Sequence, residues 1–256
     1  MRRLVAALVV AVLTAAACSD GDRSTLHAAE DAMAELDAGD LVLELTASAP
    51  DGATVGFRMT GPYSVDGGEG DLPVFDVTYA QLLGETTIET QVLSTGEEAF
   101  VVVDGDATQL EGETVERLRL GDGEGFTGLG IAGWVLEPEE QRRGDDTVVS
   151  GRVDVADLFG DLSSILAQAS GGAELAAPEG DAADRLRELV RESSAEVVVG
   201  DDDLPRTIDL TVDFGGEVPD ELVDVLGPYA AATLTLHVEL ERIDGDLEVE
   251  APAVSR

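Results

Sequence analysis

The chain reads as an α+β protein in which one large, mostly antiparallel sheet curls around two or three helices. Three observations predict this. Nine stretches alternate apolar and polar residues with a period of two, which gives a strand one wet face and one apolar face. Three others repeat apolar residues at i, i+3, i+4 and i+7, the spacing of an amphipathic helix. Short turn signals separate these stretches, among them Pro50-Asp51-Gly52, Ser94-Thr95-Gly96, Asp104-Gly105 and Asp244-Gly245. A sheet of nine or ten strands that is polar along one face must wrap the other face around the helices or around something else.

The amino terminus has its own logic. Met1-Arg2-Arg3 precedes the uncharged apolar run Leu4 to Ala17. That run is shorter than the roughly 20 residues a spanning helix needs, and it fits the h-region of about 7 to 15 residues of an export signal. Ala15-Ala16-Ala17 then leads into Cys18, the only cysteine. Small residues directly before a cysteine form the lipobox of bacterial lipoproteins, with Ala15 here where Leu is favoured. A lone thiol in an exported chain needs modification or an intermolecular partner, and thioether lipidation of Cys18 supplies the first. A cleaved leader over 1–17, a short polar tether over 18–24 and a single domain over 25–256 are therefore expected. The same reading puts the protein outside the cytoplasm, held by its lipid to the outer face of the cell membrane.

Within that domain the first helix is expected over Thr25 to Ala38. It places Leu26, Ala29, Met33 and Leu36 on one face, with Ser24 as N-cap and Gly39 as the stop. Strands follow around Leu41, Leu43 and Leu45, around Val55, Phe57 and Met59, and around Phe75, Val77, Tyr79 and Leu83. Three more cover Thr87 to Thr95, Ala99 to Val103 and Thr147 to Val153. The clearest helix runs from Val155 to Ala169 behind Asp154 as a cap. Its apolar face carries Val155, Leu158, Phe159, Leu162, Ile165 and Leu166, and Gly171-Gly172 ends it. A third helix is expected over Ala182 to Ser193, with Leu186, Leu189 and Val190 turned inward. The last strands cover Ala195 to Val199, then Ile208, Leu210, Val212 and Phe214, then Leu234, Leu236, Val238 and Leu240.

Charge restricts the partners. Arginine supplies all 15 basic residues against 54 acidic ones, for a formal net charge of −39. Nucleic acid is excluded, because its binding rests on Lys and Arg neutralising phosphates. Anionic headgroups are repelled as well, so the anchor alone would hold the domain at a membrane. The absence of lysine rules out Schiff-base chemistry, and high net charge opposes self-association.

Catalytic machinery is not legible, and no catalytic residue, metal ligand or cofactor is expected. His27 and His237 are the only histidines, and no G-x-S-x-G elbow accompanies them. The acidic runs Asp201-Asp202-Asp203 and Asp104-Gly105-Asp106 are the best cation candidates. The second fails the calcium-loop pattern, with Gln109 at the turn glycine and Val115 at the final carboxylate. The stretch Gly121 to Gly125 has the glycines of a phosphate loop but not its lysine.

Two segments, Ser94 to Leu110 and Gly130 to Leu166 with Trp134 and the run Ser150 to Leu158, resemble actinobacterial lipoproteins of the LppX/LprA/LprF/LprG type. The chain departs from them at Ala107, where an aromatic is frequent, and in lacking lysine. The resemblance implies a strongly curved antiparallel half-barrel, akin to the carriers LolA and LolB, that cups helices and leaves an apolar cavity for acyl chains. The faces identified above would line it. Val55, Phe57, Met59, Phe75, Val77, Tyr79 and Phe100 would come from the early strands, and Trp134, Leu158, Phe159, Leu162, Ile165 and Leu166 from the helical side. Leu210, Val212, Phe214, Leu236 and Val238 would come from the late strands.

Two arrangements satisfy these faces. They enclose a cavity, and the protein is a monomeric carrier of an acyl-chain lipid. Alternatively Phe57, Phe75, Phe159, Leu162, Phe214 and Leu236 meet in a dry core, and the protein acts through its surface as a scaffold for another envelope protein. Under either reading Cys18 carries the anchor. Intact mass of the membrane-extracted protein is expected to show a diacylglyceryl adduct on a chain beginning at Cys18, and globomycin is expected to block its maturation. An unmodified Cys18 on a mature chain overturns the lipidation reading.

Overall fold

The computed structural model describes residues 19–49, 51–65, 72–112, 114–115, 129–170, 179–215 and 232–253, except for the side chains of 19–23 and 163–170. The first six strands form a meander: β1 (Ala38–Ser48), β2 (Thr54–Ser64), β3 (Val74–Leu83), β4 (Thr86–Thr95), β5 (Ala99–Val103) and β6 (Asp106–Gln109). A second meander runs through β7 (Val135–Arg143), β8 (Asp146–Val153), β9 (Val190–Val199), β10 (Pro205–Phe214) and β11 (Thr233–Arg242). Every neighbouring pair is antiparallel. The first strand pairs with the last, from Gly39 against Arg242 to Ser48 against Thr233. That ladder joins the meanders into one open, curved 11-stranded sheet with β6 and β7 at its edges.

Among the described residues the sheet is accompanied by the helices α1 (Ser19–Ala34), the single turn α2 (Ile131–Trp134), α3 (Val155–Ser170) and α4 (Asp181–Leu189). They pack on one another and against β7, β8 and β9. Leu26, Ala29 and Met33 of α1, Trp134 of α2, Leu158 and Leu162 of α3 and Leu186 of α4 are buried in one cluster with the inner faces of β8 to β11 and β1. The α+β half-barrel expected from the sequence is the architecture found.

Polar contacts fix the helices in place. The Asp154 carboxylate accepts from the Ala156 amide at 3.1 Å, capping α3, and from Arg187 Nε of α4 at 2.9 Å. Asp161 Oδ2 accepts from the Gly130 amide at 2.9 Å and from Trp134 Nε1 at 2.8 Å. Glu30 of α1 accepts from the Ala132 amide at 2.7 Å. These bonds satisfy donors at the start of α2 and tie it to both neighbours. Burial, then the nearby Asp154, pushes the Asp157 carboxyl above its ordinary value; Arg187 draws it down and Asp161 pushes it up.

Several boundaries differ from the sequence expectation. The first helix ends at Ala34 instead of Ala38, and Ser24 lies inside it, as do residues 19–24 of the expected tether. Gly39 sits in β1, where both flanking strands claim its backbone and a side chain would press on the Glu241 carbonyl. The third helix stops at Leu189 and Val190 opens β9 without a loop. Residues 190–193, expected as helix, pair with β10, whose ten residues require a partner of equal length. Strands β6 and β7 were absent from the expectation. They are the two sheet edges, and β7 carries Pro138, a run of charges and a register shift between Leu136 and Glu139, the polar dress that edge strands wear. In β2 the pairing with β3 skips Gly61 and Pro62. Gly61 has φ +139°, and a β-carbon there would strike the Asp76 carbonyl, so glycine permits this kink.

On the outer face of the sheet His237 lies between Asp209, at 2.7 Å from Nδ1, and Glu239, at 3.0 Å from Nε2. Burial pulls the imidazole pKa down, but the hydrogen bonds and charges of Asp209 and Glu239 outweigh it and raise the pKa above 6.5. A raised histidine pKa adds stability that is complete below the unfolded value and is lost as pH rises through the folded one. His237→Gln is therefore expected to lower stability by no more than about 1 kcal/mol at pH 5.5, given the partial exposure of the ring, and by clearly less at pH 9. Paired urea melts at the two pH values check this, and equal losses would refute it.

Candidate functional site

The period of two and the register place side chains on the two faces without ambiguity. One row on the inner face runs outward from Leu43 through Val238, Ile208, Val197 and Val149. All five are between 0 and 4 % exposed, because the helices lie over them. In the other direction the same row runs through Met59 and Tyr79 to Thr90. Met59 is half-buried at the margin of the core and Tyr79 is 37 % exposed. The apolar face is continuous, but its cover is not.

The exposed part is large. Leu83 at 44 %, Ile88 at 49 % and Val103 at 45 % join Tyr79 as the exposed large hydrophobics among the described residues. Register puts all four on the inner face of β3 to β5, together with the half-buried Val55, Phe57, Phe75, Val77, Val92 and Val101. Phe57 stacks on Tyr79 with ring centroids 6.0 Å apart. Exposure grows along the strands. Toward the Ser64 end burial pushes the Tyr63 phenol up to about 12, against an opposing pull from Arg242. The opposite end, at the β1–β2, β3–β4 and β5–β6 turns, carries Leu83, Ile88 and Val103.

The anticipated lining residues thus separate into groups. Val55, Phe57, Met59, Phe75, Val77 and Tyr79 share the open face. Trp134, Leu158, Leu162, Leu210, Val212, Phe214, Leu236 and Val238 are buried in the packed core. Phe159 stands at its margin, edge-on to Phe214 at 6.3 Å. Phe100 pairs with Leu93 and points to the outer face, where both are buried along with Ala80 and Ala107. The side chains of Ile165 and Leu166 lie outside the described residues, as do Cys18, Gly121 to Gly125 and most of Gly171 to Gly180. Leu83, Ile88, Val92, Val101 and Val103 were not anticipated as lining. Alternation in β4 and β5 is diluted, because Leu93, Phe100 and Val102 make the outer face apolar there too.

Polar chemistry lies elsewhere. Clefts of about 400 and 600 Å³ are lined by Asp37, Ser64, Arg242 and Asp244 and by Asp40, Asp202, Arg206 and Glu241, and none of the anticipated lining residues borders either. Asp202 accepts from the Leu204 amide at 3.3 Å and from Arg206 at 2.9 Å, so it is engaged in the β9–β10 turn. His27 pairs with Glu30 on α1. Among the described residues no group of three or more potential ligands is arranged to hold a metal ion, and no helix is long and apolar enough to cross a membrane.

Solved structures similar to this chain include the following two. LprF from Mycobacterium bovis is 13 % identical over 92 % of this chain and 98 % of its own, with a TM-score of 0.40. The lipoprotein LppX of Mycobacterium tuberculosis is 10 % identical over 91 % and 100 %, also at 0.40. Both belong to the group that the sequence resemblance named. No family model and no curated protein matches the chain.

A filled half and an open half should respond differently to truncation. Leu210→Ala, in the packed core, is expected to cost about 2–5 kcal/mol. Ile88→Ala, on the open face, is expected to stay within about 0.5 kcal/mol of the parent. Chemical denaturation measures both, and a loss at Ile88 like that at Leu210 would mean that the face is packed.

Proposed function

We propose that the protein is a lipid-anchored envelope lipoprotein that binds acyl chains along the inner face of β2 to β5. The observation that carries this is the placement of Tyr79, Leu83, Ile88 and Val103, four exposed apolar side chains on one face, continuous with the half-buried residues around them. A contiguous greasy surface in water marks a binding site. Its walls are chiefly aliphatic, which suits flexible alkyl chains better than planar rings.

The dimensions and energies fit. A ten-residue strand such as β3 extends roughly 33 Å, and neighbouring strands lie about 4.8 Å apart, so the face can receive a long chain along or across the strands. Burying a chain of about 16 carbons yields up to ~12 kcal/mol at ~0.8 kcal/mol per methylene, before ordering costs. The packed half, held by the Asp161, Glu30 and Asp154 contacts, acts as the rigid wall. In this reading the protein binds and does not catalyse, Cys18 holds it at the membrane, and residues 1–17 are removed.

Organic extraction and mass spectrometry of protein made in a related host are expected to find lipid in stoichiometric amount. The double variant Tyr79→Glu with Ile88→Glu should retain less than a tenth of it while melting as a folded protein. Repeatedly empty extracts, with a protein partner recovered by crosslinking through the same face, would replace the carrier by a scaffold.

A further inference from the structure

Resting on the proposed acyl-chain site, we propose that this site is blind at its Ser64 end, where the Tyr63 ring stops the chain and so limits the acyl length the protein accepts. The inner face changes along its strands. At that end one row crosses it from Gly39 through Tyr63, Phe75 and Ser94 to Ala99. Ser94 and Ala99 are wholly buried, and Tyr63 and Phe75 are half-buried. At the β3–β4 turn the corresponding row runs from Val55 through Leu83 to Thr86, and there both Leu83 and Thr86 are exposed. The face is closed at one end and open at the other.

Tyr63 is placed to be the stop. It stands on the inner face of β2 directly opposite Gly39, and glycine there admits it: a β-carbon on Gly39 would lie 3.4 Å from the Tyr63 ring and 3.3 Å from Leu36 Cδ2. Leu36, between α1 and β1, is buried in the core, and Tyr63 packs against that core, so the ring has solid backing. Its raised phenol pKa has the same cause, burial. Phe75 stands opposite Tyr63 on β3, so two aromatic residues share the closed end. From Phe75 to Leu83 the strand rises about 27 Å. An extended chain advances about 1.2 Å per bond, so the face holds roughly 20 carbons lying along the strands. Carbons beyond that limit stay in water or must displace Tyr63, and they add nothing to binding.

Delipidated protein is incubated with a mixture of lysophosphatidylcholines whose saturated chains run from about 12 to about 26 carbons, and native mass spectrometry reads the occupancy of each. Occupancy is expected to climb severalfold with every two or so carbons until about 20, and then to level off. Val77 lies on the inner face one row nearer the mouth and outside the packed core. Val77→Phe is expected to lower the limit by about five carbons, the length of the two residues of strand it blocks. Tyr63→Leu is expected to raise the limit by about two carbons, and Tyr63→Phe, which keeps the ring, to leave it in place. A parent without a limit, or a limit that Val77→Phe or folded Tyr63→Leu leaves unmoved, overturns the inference and leaves the acyl-chain site standing. If no chain length binds, the site falls and the stop with it.

Discussion

Ten residues just after α1 and ten near the end of the described residues lie against each other as β1 and β11, and the rest of the structure depends on that ladder. Each flanking meander is local, made of strands joined by short turns. The β1–β11 pairing is not, since it brings residues 39–48 against residues 233–242. Closing a loop that long costs more entropy than any other pairing in the sheet, although the cost grows only with the logarithm of length. What makes it favourable is the inner side, where Leu41, Leu43 and Leu45 meet Leu240, Val238 and Leu236 and are covered in turn by the helices.

That same ladder sets up the asymmetry on which the proposed function rests. It fuses two apolar faces into one, yet the helices lie over the inner faces of β8 to β11 and β1 and leave those of β2 to β5 only partly covered. Asp161, Glu30 and Asp154 hold α1, α2, α3 and α4 together as a unit, and Trp134 is anchored inside it through its indole N–H. A unit so fixed does not spread over the remaining strands. The first meander keeps its inner face only partly covered, and there Phe57 and Met59 form the transition between core and open surface.

Charge and shape act together at this surface. An exposed apolar patch invites association, and the acidic turns around it oppose association with anything negatively charged. The irregularity at Gly61 and Pro62 falls within β2 toward its buried Ser64 end, where the ladder to β3 is interrupted.

Much of this was legible in the chain. Alternation identified nine strands with the right inner faces at β1, β2, β3, β10 and β11, and the long amphipathic helix behind Asp154, because those segments obey their own period whatever they pack against. The edge strands β6 and β7 were not legible, since an edge is selected to look polar. Nor was the end of the third helix, because Val190 to Ser193 carry helical spacing and become strand only when β10 requires a partner. For the site, sequence determined which residues are apolar on one side of each strand. Tertiary structure decided which of those faces the helices cover, placing Leu210 and Leu236 in a dry core and leaving Tyr79, Leu83, Ile88 and Val103 open, because cover is a property of what lies above a strand and not of the strand itself.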